Sequence, residues 1–90
     1  MSTKAILSLM AARQHAESGS GRTIRQRAKL SMNEVCGAIG VTVGALSRWE
    51  NGLAVPRGEP AIRWAELLGE LEQALDGRAA RKSTKPAKAA

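Results

Sequence analysis

Between residues 31 and 52 the chain reads SMNEVCGAIGVTVGALSRWENG, and its apolar positions form two short helical patterns separated by one glycine. Val35 and Ile39, four apart, share one face of the first pattern; Leu46 and Trp49, three apart, share one face of the second. Ser31 followed by Glu34 has the spacing at which a hydroxyl and a carboxylate satisfy each other's backbone N–H groups, so a helix is predicted to start there. Gly40 supplies the left-handed conformation that ends it. Thr42 can cap the next helix, and Asn51-Gly52 stops it. The expected buried set is Val35, Ile39, Val41, Leu46 and Trp49, with small Cys36 where two steeply crossed helices come closest.

Outside this stretch the pattern remains helical. Residues 4–17 place Ile6, Leu7, Met10 and Gln14 at helical spacing among good helix formers. Ser18-Gly19-Ser20-Gly21 reads as a flexible hinge. A basic helix over 22–29 leads to Leu30, which can act with Val35 across the start of the capped helix. After Gly52 a loop with Pro56, Arg57 and Gly58 precedes Glu59-Pro60, where helix resumes. There Trp64, Leu68, Leu71 and Leu75 have the 4-3-4 spacing of a seam, expected to join two copies of the chain, with Ile6, Leu7 and Met10 the competing contact. No internal repeat is visible. The fold class is all-α.

Composition narrows the picture. Ninety residues allow one domain with a small core, and 43% hydrophobic residues without Phe or Tyr favour helices over sheets. A lone cysteine excludes an internal disulfide and a Cys-rich zinc site, which makes the cytoplasm the default location. No apolar run approaches the roughly 18 residues that span a bilayer, and residues 1–17 lack the features of a secretion signal. With one His, one Cys and no Tyr, the chain has very little from which to assemble a nucleophile–base pair. Cys36 reads as a core residue and His15 as a surface residue. No enzyme activity and no cofactor or metal are expected.

The net charge of +6 is unevenly spread. Arg22, Arg25, Arg27 and Lys29 precede the two central helices, and Arg78, Arg81, Lys82, Lys85 and Lys88 fill the C-terminus. Residues 59–76 carry five acids against Arg63 alone. A polyanion is expected on the side of the central helices, although a basic surface also serves solubility. The 77–90 tail has no large apolar residue and is expected to be disordered, adding sequence-independent attraction to DNA or only solubility.

Two capped helices meeting at a glycine have the plan of a helix-turn-helix, a plan that a plain hairpin with Gly40 as a C-cap also satisfies. The stretch resembles the helix-turn-helix of the phage Cro/repressor (Xre-like) family: a small residue at Cys36, a glycine four positions on, hydrophobics at the spacings above, and the ending Ser47-Arg48-Trp49-Glu50-Asn51-Gly52. The resemblance implies a compact five-helix repressor-type domain over 20–76, with an extra N-terminal helix and hinge (1–19) and the basic tail (77–90). It implies a sequence-specific transcriptional regulator, a small phage or mobile-element repressor binding a palindromic operator as a homodimer. An antitoxin of a toxin–antitoxin pair and an architectural or recombination-accessory DNA binder are the rivals. A protein partner could use the N-terminal or the acidic C-terminal helix.

With Leu46 and Trp49 inward, Val43, Gly44, Ser47 and Arg48 face outward, toward a major groove. By resemblance, Val43, Gly44 and Arg48 meet base edges while Thr42 and Asn51 sit near phosphates; Arg57 completes the candidate DNA-binding set. Arg48 can contact guanine bidentately and Val43 a thymine methyl. The resemblance also pairs Arg25 with Glu50. Two positions depart from the family. Met32 stands where a phosphate-binding Gln is usual. Gly21 stands where an apolar residue is usual, so the first family helix is expected to start late, with the N-terminal segment filling the space.

Overall fold

The computed structural model describes residues 2–89, with side chains described as far as Gly77. The expectation of a disordered tail lies outside the residues described in full. Five helices follow one another: α1 (Thr3–Ser18), α2 (Ser20–Arg27), α3 (Met32–Ile39), α4 (Val43–Glu50) and α5 (Gly58–Ala89). The described residues contain no strand. α5 packs across α1, α2 and α3, while α3 lies on α4 and α1 also touches α4.

The expected start of α3 is present. Ser31 Oγ accepts from Glu34 N–H at 3.0 Å, and Glu34 Oε1 accepts from Ser31 N–H at 2.8 Å. Gly40 ends the helix in the left-handed region at φ 79°. Thr42 caps α4 by accepting from Ala45 N–H at 3.1 Å. Val35, Cys36, Ile39, Leu46 and Trp49 are buried as expected; Val41 is only half-buried, packed against the rim of the same core.

The segment expected to be a flexible hinge is a tight joint. Gly19 alone, at φ 81°, separates α1 from α2, and its N–H donates to His15 O at 3.1 Å. α2 therefore begins at Ser20, two residues before the expected basic helix, and does not start late. Gly21 lies inside it, buried against α5. A Cβ there would come within 2.6 Å of Trp64 Cζ2 and 3.3 Å of Leu68 Cδ1. The space that an apolar side chain would fill is taken by the indole, not by the N-terminal segment alone.

The seam on α5 belongs to the chain's own core. Trp64 and Leu68 are fully buried, and Leu71 and Leu75 pack against the same cluster. Trp64 and Leu68 are therefore closed to a contact between two copies, against the expected seam, while Leu71 and Leu75 keep part of their surface. Trp64 stacks on Trp49 with ring centroids 5.2 Å apart and meets His15 edge-on at 6.3 Å. His15, expected at the surface, is half-buried, and its Nδ1 bonds Ser20 Oγ at 2.7 Å. Burial holds its imidazole below the usual histidine range, with Glu72 pulling the other way.

α1 buries the face opposite to its large apolar side chains. Ala12 and Ala16 are in the core, with Leu9 partly buried beside them. Ile6, Leu7 and Met10 remain exposed.

Candidate nucleic-acid interface

α2 and α4 end in the same way, and their ends meet. In α2, Leu30 N–H donates to Arg25 O at 3.1 Å and Lys29 N–H to Gln26 O at 3.0 Å. In α4, Leu53 N–H donates to Arg48 O at 2.8 Å and Gly52 N–H to Trp49 O at 3.2 Å. Both pairs of bonds close a Schellman motif, which needs a left-handed residue after the helix. Gly52 fills that place in α4 at φ 70°, but in α2 it is Lys29, at φ 63°.

The expected Arg25–Glu50 pair joins the two ends. Arg25 Nε donates to Glu50 Oε2 at 2.7 Å and Nη2 to Oε1 at 3.0 Å, while Nη1 donates to Leu30 O at 3.0 Å. Glu50 sits at the negative end of the α4 dipole, an unfavourable place for a buried carboxylate. The guanidinium fork compensates it bidentately, and the same bonds hold the Arg25 pKa above its ordinary value. The pair therefore fixes the C-terminal end of α4 against α2.

The opposite side of α4 carries the expected contact set. Thr42, Val43, Gly44, Arg48 and Asn51 are exposed and Ser47 is half-buried. Arg48 makes no ion pair among the described residues, so its five donors face outward. Two members are partly engaged. Thr42 Oγ1 accepts the capping bond but still has its own proton to donate. Asn51 Nδ2 donates to Ser47 O at 2.9 Å and, at 3.4 Å, to Ser47 Oγ. Gly44 has helical backbone and nothing but Thr42 Oγ1, at 4.0 Å, near the place of a Cβ; packing within the chain gives no reason for glycine there. Arg57 is exposed in the loop after α4, outside the helix face formed by the others.

Met32, at the position where phosphate binding was in doubt, is half-buried against the core. Sequence reasoning missed the exposed apolar side chains that adjoin this region, Leu53 and Val55. The signal was their place after a helix-stopping Asn-Gly, where a Schellman closure leaves a hydrophobic residue one step beyond the glycine.

Nothing in this region is arranged for covalent chemistry. Burial pushes the Cys36 thiol up, Glu50 adds to the effect and Arg25 opposes it, so the thiolate is disfavoured at neutral pH. The described residues contain no cluster of His, Cys, Asp or Glu fit to hold a metal. None of the described helices is long and apolar enough to cross a membrane.

A family model described as helix-turn-helix matches residues 22–73, more than half of the chain. The chain belongs to the Xre-type helix-turn-helix DNA-binding family. The match spans α2 to α4 and the part of α5 that covers them, so α1 is outside it. No curated protein and no solved structure matches the chain. Membership in the Xre-type family makes this a DNA-binding transcriptional regulator, and the family is not one of enzymes.

Proposed function

We propose that the chain is a small sequence-specific repressor of phage or mobile-element type, which binds a palindromic operator as a homodimer with one α4 in each half-site. The observation that carries this reading is the division of α4 between two faces. Leu46, Trp49 and Glu50 are buried and fix the helix, whereas Val43, Gly44 and Arg48 are exposed with their chemistry unused. In this reading Arg48 contacts guanine O6 and N7, Val43 a thymine methyl, and Gly44 admits close approach of the backbone. Thr42, Ser47, Asn51 and Arg57 donate to the phosphates that flank those bases. Residues 20–76 form the reading unit, with α1 added to it.

The test is selection of bound fragments from the genomic DNA around the coding sequence. Enrichment of an inverted repeat with half-sites about one helical turn apart is expected. Equal recovery of all fragments would replace this reading by that of an architectural binder.

A further inference from the structure

Five of the described residues hold their backbone in the left-handed region. Four are glycines, and the fifth is Lys29, at φ 63° in the loop that joins α2 to α3. Glycine adopts this conformation freely, whereas an L side chain crowds the neighbouring carbonyl. The fold itself does not account for the exception. Lys29 is exposed and takes part in no ion pair among the described residues, so no such pair offsets the strain. A strained, charged residue at the surface points to a role outside the chain's own packing.

The surroundings of Lys29 narrow that role. The backbone N–H groups of residues 29, 30 and 31 donate inward, to Gln26 O, Arg25 O and Glu34 Oε1, so an anion at these three residues is met by side chains. Both carboxylates bonded at the loop are already engaged: Glu34 closes the capping box, and Glu50 holds Arg25. Met32, next along the chain, is half-buried and has no side-chain donor. Arg25 also ties the loop to α4, because its guanidinium bonds Leu30 O as well as the carboxylate of Glu50, the last residue of that helix. Lys29 is thus held beside the C-terminal end of α4. From this placement we infer that Lys29 binds a backbone phosphate of the DNA strand that passes this end of α4, and so anchors the strand at the α2–α3 loop. Three ammonium protons on a flexible stem suit a phosphate as a point charge. The contact reads no base; it sets where α4 sits in the groove.

This inference rests on the DNA-binding reading proposed above and adds a contact to it, but a separate quantity tests it, the dependence of binding on salt. The full chain is titrated by fluorescence anisotropy, from about 50 to 200 mM salt, against two labelled duplexes: the most enriched fragment of the selection above and a scrambled duplex of the same composition. Lys29→Gly removes the charge and the strain together; Lys29→Gln removes the charge and keeps a side chain in the left-handed region. Both should weaken binding to both duplexes, about tenfold per bound copy at roughly 100 mM salt, and lower the magnitude of the slope of log K against log salt by about 0.9 per copy. Lys29→Arg keeps the charge and should keep the slope. Lys4→Gln, which removes an exposed charge on α1, should leave the slope unchanged.

Thermal melts accompany the titrations. A midpoint for Lys29→Gly no lower than that of the unmodified chain separates lost contact from lost fold. An unchanged slope in Lys29→Gly and Lys29→Gln overturns the inference, as does an equal drop in Lys4→Gln, which would make the effect one of net charge. So does a loss confined to the enriched fragment, which would make Lys29 a reader of bases. Equal binding of both duplexes by the unmodified chain, with the slope still dependent on Lys29, would keep the phosphate contact and remove the sequence-specific reading instead. Binding of neither duplex would overturn both.

Discussion

α2 and α4 are both eight residues long and close with the same two backbone bonds, yet the residues at their ends have opposite fates. Arg25 and Arg48 occupy the same position, three from the cap. Arg25 has all its reach engaged by Glu50 and Leu30; Arg48 is exposed and has no ion-pair partner among the described residues. Leu30, one step past the left-handed residue of α2, packs on the core, while Leu53 in the same place after α4 is out in solvent. Identical local geometry therefore does not assign a role. What assigns it is which side of the end a neighbouring element covers: Arg25 and Leu30 lie on the covered side of the α2 end, whereas Arg48 and Leu53 lie on the open side of the α4 end.

The largest expected effect comes from uncoupling the two ends. Glu50→Ala leaves Arg25 with one acceptor and a largely buried charge, its side chain 12% exposed, and should cost about 3 kcal/mol of stability. Denaturant unfolding of Arg25→Ala, Glu50→Ala and the double variant should give strongly non-additive losses; additivity would show that the contact contributes nothing as a pair.

Arg48→Ala should do the reverse. Stability stays within about 0.5 kcal/mol of the parent, and specific DNA binding weakens by about 1–3 kcal/mol, with preference lost at one base pair per half-site. Titrations with operator and scrambled duplexes check this. Equal losses for both would make Arg48 a phosphate contact.

The left-handed residues sharpen the comparison further. Lys29→Gly relieves a strained backbone at φ 63° and should stabilise the chain by up to about 1 kcal/mol, less the extra entropy that glycine brings to the unfolded state. Gly52→Ala should destabilise it by about 1 kcal/mol through strain alone, since the new Cβ would sit at an ordinary 3.5 Å from Ala16 O. Thermal melts that moved the same way for both would contradict the common geometry of the two ends.

The smallest effect concerns pH. Burial lowers the His15 pKa below its ordinary 6.5, so the folded chain binds fewer protons than the unfolded one just below that value. Its contribution is fully present above about pH 6.5 and declines as pH falls toward the lowered pKa. His15→Gln should flatten that part of the stability profile while leaving the α2 and α4 ends unaffected.

The two central helices were legible because their signals are local. A capping box, a left-handed glycine and a threonine cap act within a few residues, and Ser31, Glu34, Gly40 and Thr42 do what their types and spacing imply. The Arg25–Glu50 pair, by contrast, joins residues distant in sequence and came from resemblance alone. The orientation of α1 was not legible. Reading for large apolar residues selects Ile6, Leu7 and Met10, but the helix buries a small-residue seam of Ala12 and Ala16, with Leu9 and Ala11 partly buried beside it. Small side chains let α1 approach α5 closely, and such a seam is a weak signal beside three large residues on the other face. The α5 seam was visible, but whether it met its own core or a second copy depended on where α1 and α2 lie.

The contact between Gly21 and Trp64 constrains how this chain can change. The smallest residue of α2 is the seat of the largest side chain in the core, and an added methyl group there would push on a ring already held between Trp49 and His15. Overpacking of this kind typically costs about 1–3 kcal/mol. Mutational paths through position 21 are therefore closed one step at a time: bulk can enter α2 only after it has left position 64. Natural variation at these two sites should accordingly appear as paired exchange, with a larger residue at one accompanied by a smaller residue at the other.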